Sequence, residues 1–193
     1  MIQRLRMTLI AAGLAVALAP SSGEAQVFTP SYMSPVASSD IGIYLADWPG
    51  GFAVEGIWRG RYSGLDMGLR GGLADVGDMG ILLAAELRQP LSANSPLDLA
   101  VTGAVQGLII ADGDSGVGFG GGVTLGHTFT SEELVFTPYL HPRIALITGW
   151  GDSDLELLAD VGFDLRVSDS IEARFGISIG DYGSDWGIGL AWR

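Results

Sequence analysis

The chain contains no cysteine and no lysine. The first absence excludes disulfides, thiolate metal ligands and a cysteine nucleophile. The second leaves arginine as the only basic side chain, and ten arginines stand against 22 acids, for a formal net charge of −12. So acidic a chain is excluded as an electrostatic binder of nucleic acid, because phosphates need basic partners. Charge of either sign is scarce, at 17% of residues where a soluble domain carries about 25%. Together with a mean hydropathy of +0.36, the scarcity implies that much of the surface does not face water. Histidine occurs only as His127 and His141. Beyond the N-terminus no long apolar run exists, since Gly or charge interrupts every apolar stretch within about ten residues. A membrane-spanning helix needs about 20.

What is present divides the 193 residues into three parts. Residues 1–25 read as a signal peptide. Arg4 and Arg6 form its basic start, Met7 to Ala19 its apolar run, and Gly23-Glu24-Ala25 places small residues before a cut after Ala25. The apolar run is too short for a helical anchor across roughly 30 Å of hydrocarbon. Residues 26–39 are a Pro/Ser-rich lead, and residues 40–193 form the body. Without the leader the chain keeps 8 arginines against 21 acids.

The body alternates with period two. Leu155, Leu157, Ala159, Val161, Phe163, Leu165 and Val167 interleave with Glu156, Asp160, Gly162, Asp164 and Arg166. Ile171, Ala173, Phe175, Ile177 and Ile179 interleave with Glu172, Arg174, Gly176, Ser178 and Gly180. A strand sends successive side chains to opposite faces, so each run has one apolar and one polar face. Ten strands are expected, at 40–47, 52–61, 65–75, 79–89, 97–110, 116–129, 134–149, 155–167, 171–180 and 185–193, with eight as the alternative. Short Gly/Asp-rich turns alternate along the chain with Ser-rich or acidic ones, as in an up-and-down barrel.

A soluble barrel turns its apolar face inward and a membrane barrel turns it to lipid. Three features favour lipid. The apolar face is nearly free of charge in mid-strand. The polar face mixes Glu55, Asp66, Glu86, Asp98, Glu156, Asp160, Asp164 and Glu172 with Arg59, Arg70, Arg88, Arg143, Arg166 and Arg174. Such pairs can pack a narrow lumen, because the arginine fork suits carboxylates in a dry setting. Aromatics also gather at strand ends: Trp48, Phe52, Trp150, Tyr182 and Trp186 at one rim, and Trp58, Tyr62, Phe129, Phe136 and Trp192 at the other.

The C-terminus adds a motif. Asp185-Trp186-Gly187-Ile188-Gly189-Leu190-Ala191-Trp192 resembles the C-terminal β-signal of bacterial outer-membrane proteins, with Arg193 one residue past the usual terminal aromatic. By this motif and the strand pattern the chain is similar to small, OmpA-like outer-membrane β-barrels. The resemblance implies insertion by the barrel-assembly machinery, with Asp185, Gly187, Leu190 and Trp192 as the signal positions. It also implies outer-membrane lipid and lipopolysaccharide as surroundings, and a cell outer-membrane location reached by export and leader cleavage.

The expected fold is therefore an all-β, closed, antiparallel, up-and-down transmembrane barrel. Its expected lumen network comprises Glu55, Arg59, Asp66, Arg70, Glu86, Arg88, Tyr139, His141, Arg143, Asp160, Asp164, Arg166, Glu172 and Arg174. No catalytic residue, metal site or cofactor is expected. His127 falls at the end of an apolar row, His141 on the polar face. Pro138 and Pro142 each remove a ladder donor and mark an irregular stretch. Gly116-Val117-Gly118-Phe119-Gly120-Gly121 matches a dinucleotide fingerprint in form only, because it runs into a strand and not a helix. Inward Gly118, Gly120, Gly122 and Gly126 leave room for bulky lumen groups. The turns Asp112-Gly113-Asp114 and Asp152-Ser153-Asp154 offer oxygens to Ca²⁺ or read as solvated turns. The function expected is a structural or envelope-interaction barrel. A narrow channel, a lipid-modifying enzyme built on a histidine and a soluble secreted barrel are the alternatives.

Overall fold

The computed structural model describes residues 28–36, 39–48, 51–75, 77–91, 96–111, 113, 115–132, 134–149, 152–180 and 183–193. The leader at 1–25, Trp150, Tyr182 and turn residues Asp112 and Asp114 lie outside them. Eleven strands follow one another: β1 (Asp40–Trp48), β2 (Gly51–Tyr62), β3 (Leu65–Asp75), β4 (Met79–Leu91), β5 (Asp98–Ile110), β6 (Gly116–Gly126), β7 (Phe129–Thr130), β8 (Val135–Gly149), β9 (Asp152–Arg166), β10 (Ile171–Gly180) and β11 (Gly183–Trp192). Ten of them pair antiparallel, each with its sequence neighbours, and close where β1 meets β11 and β6 meets β8. The result is an up-and-down barrel of ten strands, and the eight-strand alternative is set aside.

The extra strand has a chemical cause. β7 pairs with β8 in the same register that β6 uses, so the two are one strand interrupted. The break at His127–Thr128 lies opposite Pro138, and the gap at Val123–Thr124 opposite His141–Pro142. His127 donates its backbone N–H to the Pro138 carbonyl, at 3.4 Å. Proline has no N–H to return the bond. The single strand expected at 116–129 is thus divided by its partner's prolines.

Alternation sorts the side chains as the closed sheet requires. Outward positions are apolar and open: Ile41, Leu69, Leu83, Ile144, Leu155 and Leu157 are all exposed. So large an apolar surface on a lone domain marks contact with something other than water. Inward positions hold the buried charges. At the rims, Phe52, Trp58, Tyr62, Phe129 and Trp192 are exposed, while Phe136 and Trp186 are half-buried. The turn Ser63-Gly64 between β2 and β3 has φ of 51° and 86°, the left-handed pair that a two-residue hairpin prefers.

Candidate functional site: the lumen and its N-terminal segment

The lumen is occupied by the chain's own lead. Phe28 to Pro35 runs inside the barrel with every residue buried, and Val36 emerges at the end where β1 starts. In sequence this stretch is only a Pro/Ser-rich lead.

The barrel wall explains why the segment fits. In a closed sheet, backbone carbonyls are spent on neighbouring strands, so a buried guanidinium must find acceptors elsewhere. Arginine offers five N–H donors and one or two carboxylates do not use them all. The segment supplies the remainder through its backbone. Arg70 donates to the Pro30 carbonyl at 2.8 Å and the Ser31 carbonyl at 3.2 Å, and to the Thr29 hydroxyl at 2.8 Å. Arg59 reaches the Ser31 carbonyl at 3.1 Å, Arg143 reaches that of Thr29 at 3.5 Å, and Arg88 bonds that of Ser34. The Ser34 hydroxyl donates to Asp164 at 2.5 Å.

The same arginines bind the wall's carboxylates. Arg70 stands 2.7 Å from Glu86 and 3.7 Å from Glu55, and Arg59 stands 3.2 Å from Glu86. Arg88 pairs with Asp66 at 3.2 Å and Arg143 with Asp160 at 3.1 Å. Arg174 binds Asp40 at 2.7 Å, Glu172 at 2.8 Å and Asp164 at 3.6 Å. Register produces several of these contacts directly: Asp66 faces Arg88, Asp164 faces Arg174, and His141 faces Asp160 on adjacent strands.

Rings complete the packing. Phe28 lies 4.9 Å beneath the Arg143 guanidinium, and Tyr32 lies 4.5 Å from the Tyr44 ring and 5.4 Å from the Arg70 guanidinium. Two inward glycines make room. A Cβ at Gly118 would run into the Phe28 ring, and one at Gly187 into the Tyr32 hydroxyl. Tyr32 holds a left-handed φ of 48°, a conformation a bulky residue adopts only when its surroundings impose it. One cavity that remains, of about 20 Å³, is bordered by Ser31, Thr102, His141 and Arg143, with room for about one water.

His141 sits at the centre of a polar row. Its Nδ1 is 2.8 Å from Ser31 Oγ and 3.2 Å from Asp160 Oδ2, and its Nε2 is 2.7 Å from Thr102 Oγ1. Hydroxyl, imidazole and carboxylate in that order are the parts of an acyl-transfer site. Here they are enclosed, with His141 only 2% exposed and Ser31 of the lead laid across it.

Of the residues expected in the lumen, Glu55, Arg59, Asp66, Arg70, Glu86, Arg88, Tyr139, His141, Arg143, Asp160, Asp164, Glu172 and Arg174 are all buried there. Arg166 is not. It ends β9 and is exposed at the mouth beside Val36, Glu172 and Arg193, because the strand runs out before its side chain can turn into the barrel. Asp98 is exposed for the same reason, as the first residue of β5. His127 is half-buried on the outside, edge-on to Phe129 at 4.8 Å. Among the C-terminal motif residues, Asp185 and Gly187 face inward and Leu190 and Trp192 outward. Sequence reasoning missed Phe28, Thr29, Ser31, Tyr32, Met33 and Ser34, together with Asp40, Tyr44 and Thr102 of the wall.

No family model and no curated protein matches the chain. Solved structures do match in shape. The β-domain of the Bordetella autotransporter BrkA superposes with a TM-score of 0.54 at 13% identity, covering 82% of this chain and 77% of that one. A bacterial polysaccharide outer-membrane secretin gives 0.51 at 10% identity, over 74% of this chain and 56% of that one. A KdgM porin gives 0.50 at 10% identity, over 80% and 98%. At such identities the likeness is one of architecture, and the chain has the closed-barrel fold of outer-membrane proteins.

Proposed function

We propose that the protein is an integral outer-membrane barrel, exported with a cleaved leader, and that it serves as a small-solute conduit held shut by its own N-terminal segment. The observation that carries this reading is the segment itself. Residues 28–35 lie inside the lumen, held chiefly through backbone carbonyls. Such a part can leave without dismantling the barrel, because it contributes no strand to the sheet. The exposed aliphatic rows support a barrel seated in lipid, where an even strand number would leave both chain ends on the periplasmic side. The C-terminal motif supports delivery by the barrel-assembly machinery and kinship with small OmpA-like barrels. Catalysis forms no part of this reading.

The test compares the intact chain with a variant lacking residues 28–36 in planar bilayers. The intact chain is expected to be silent and the shortened one to conduct in discrete steps. A silent shortened variant that still migrates as a folded barrel overturns the conduit. The second reading, a structural or envelope-interaction barrel with a permanent filling, would then stand. The near-complete burial of Phe28, Tyr32 and Met33 favours that second reading.

A further inference from the structure

The charges of this barrel are sorted along its axis. Among the described residues, those of segments 44–54, 71–83, 105–118, 144–158 and 176–188, which make one end of the barrel, include the acids Asp47, Asp75, Asp78, Asp152, Asp154, Glu156 and Asp185 and no basic residue. The arginines lie at mid-height or toward the other end, with Arg70 and Arg143 each bordering one of these segments. Inside the lumen, among the described residues, nine buried carboxylates accompany five buried guanidiniums.

One of those carboxylates has neither a hydrogen bond nor a close ion pair among the described residues. Asp185 points inward from β11, is 3% exposed, and has no hydrogen-bond partner on either oxygen. Its row explains why. Asp185 faces Ser178 on β10, Ser178 faces Asp160 on β9, and Asp160 faces His141 on β8. Arg143, the cation serving that row, binds Asp160 and Ser178, each at 3.1 Å. Asp185 is left at the end of the row, where Arg143 acts on it only from a distance and three carboxylates, Asp47, Asp160 and Glu156, oppose it with like charge. Buried acids are normally paired or bound to a cation, and rings of Asp and Glu mark cation pathways.

We propose that this end of the lumen is a cation-binding vestibule centred on Asp185, with Glu156 near it and Asp47 at the rim, and that the solutes admitted are small cations. The proposal deepens the conduit reading for solute class, but the binding site itself does not require that the barrel open.

Two measurements separate the two claims. In the first, Tb³⁺ alone is titrated onto the full-length mature protein in detergent, and emission sensitised by neighbouring Trp186 is recorded. Saturable emission is expected, with affinity falling about tenfold in Asp185→Asn, less in Glu156→Gln, and recovering in Asp185→Glu. Binding unchanged in a folded Asp185→Asn protein overturns the vestibule. In the second, the variant lacking residues 28–36 is placed in a roughly tenfold KCl gradient. A zero-current potential favouring K⁺, reduced by Asp185→Asn with Glu156→Gln, is the expected result. Chloride preference or no preference overturns the proposed solute class. A silent shortened barrel with Asp185-dependent Tb³⁺ binding removes the conduit and leaves the cation site in place.

Discussion

The Arg70 guanidinium lies 2.8 Å from the carbonyl oxygen of Pro30, and this contact joins the barrel wall to the segment inside it. The bond is made to backbone, so it depends on where the segment runs and not on which side chain it carries. Arg59, Arg88 and Arg143 repeat the arrangement at other depths.

Removing such an arginine exposes the cost of burying its partners. In Arg70→Met the shape is roughly kept, but Glu55 and the Pro30 carbonyl lose their cation, and Glu86 and the Ser31 carbonyl keep only Arg59. Breaking a buried pair from one side costs about 3–5 kcal/mol. Arg61, half-exposed and paired with Asp66 at 3.1 Å, is the control, and Arg61→Ala should cost no more than about 1 kcal/mol. Urea unfolding in detergent, followed by the loss of heat-modifiable migration, compares the two.

Gly118 and Phe28 should behave as one unit. The three atoms nearest a Cβ at Gly118 all belong to the Phe28 ring. Gly118→Val is expected to destabilise the mature chain by about 1–3 kcal/mol through overpacking. In a Phe28→Ala background most of that penalty should vanish, and a double-mutant cycle measures the coupling. Additive effects would mean that the ring does not lie against β6.

The outer face gives a prediction of opposite character. Leu83 is 53% exposed, and in a water-soluble barrel Leu83→Arg would be nearly neutral. In lipid the same change costs about 2–4 kcal/mol at the midplane. Folding the variant into lipid vesicles and measuring its stability against the parent distinguishes the two surroundings.

The sheet could be read from sequence because its physics is periodic. The alternation from Leu155 to Val167 assigns each side chain a face, and the run ends within a residue of β9's end at Arg166. The ionic residues share the polar face for the same reason, and only at strand ends, as with Arg166 and Asp98, does parity fail to predict burial. The division of β6 from β7 is also written in the chain, at Pro138, although on the opposite strand. The lumen segment has no comparable pattern. Phe28-Thr29-Pro30-Ser31-Tyr32-Met33-Ser34-Pro35 has no period, and its carbonyls do the binding whatever the side chains are. Two signals for it did exist. Phe28, Tyr32 and Met33 are bulky groups in a polar stretch, and inward Gly118 of β6 and Gly187 of β11 leave space that rings of the segment fill.

The most direct test of the account is a crosslink between Ser34 and Asp164, whose side-chain oxygens meet at 2.5 Å. Because the chain has no native cysteine, Ser34→Cys with Asp164→Cys gives a single possible pair. Exported to an oxidising compartment, the two thiols should form a disulfide within the folded barrel, seen by mass spectrometry as one crosslinked peptide pair. Recovery of both cysteines as free thiols, open to a water-soluble maleimide in the folded protein, would place the segment outside the lumen and contradict the account.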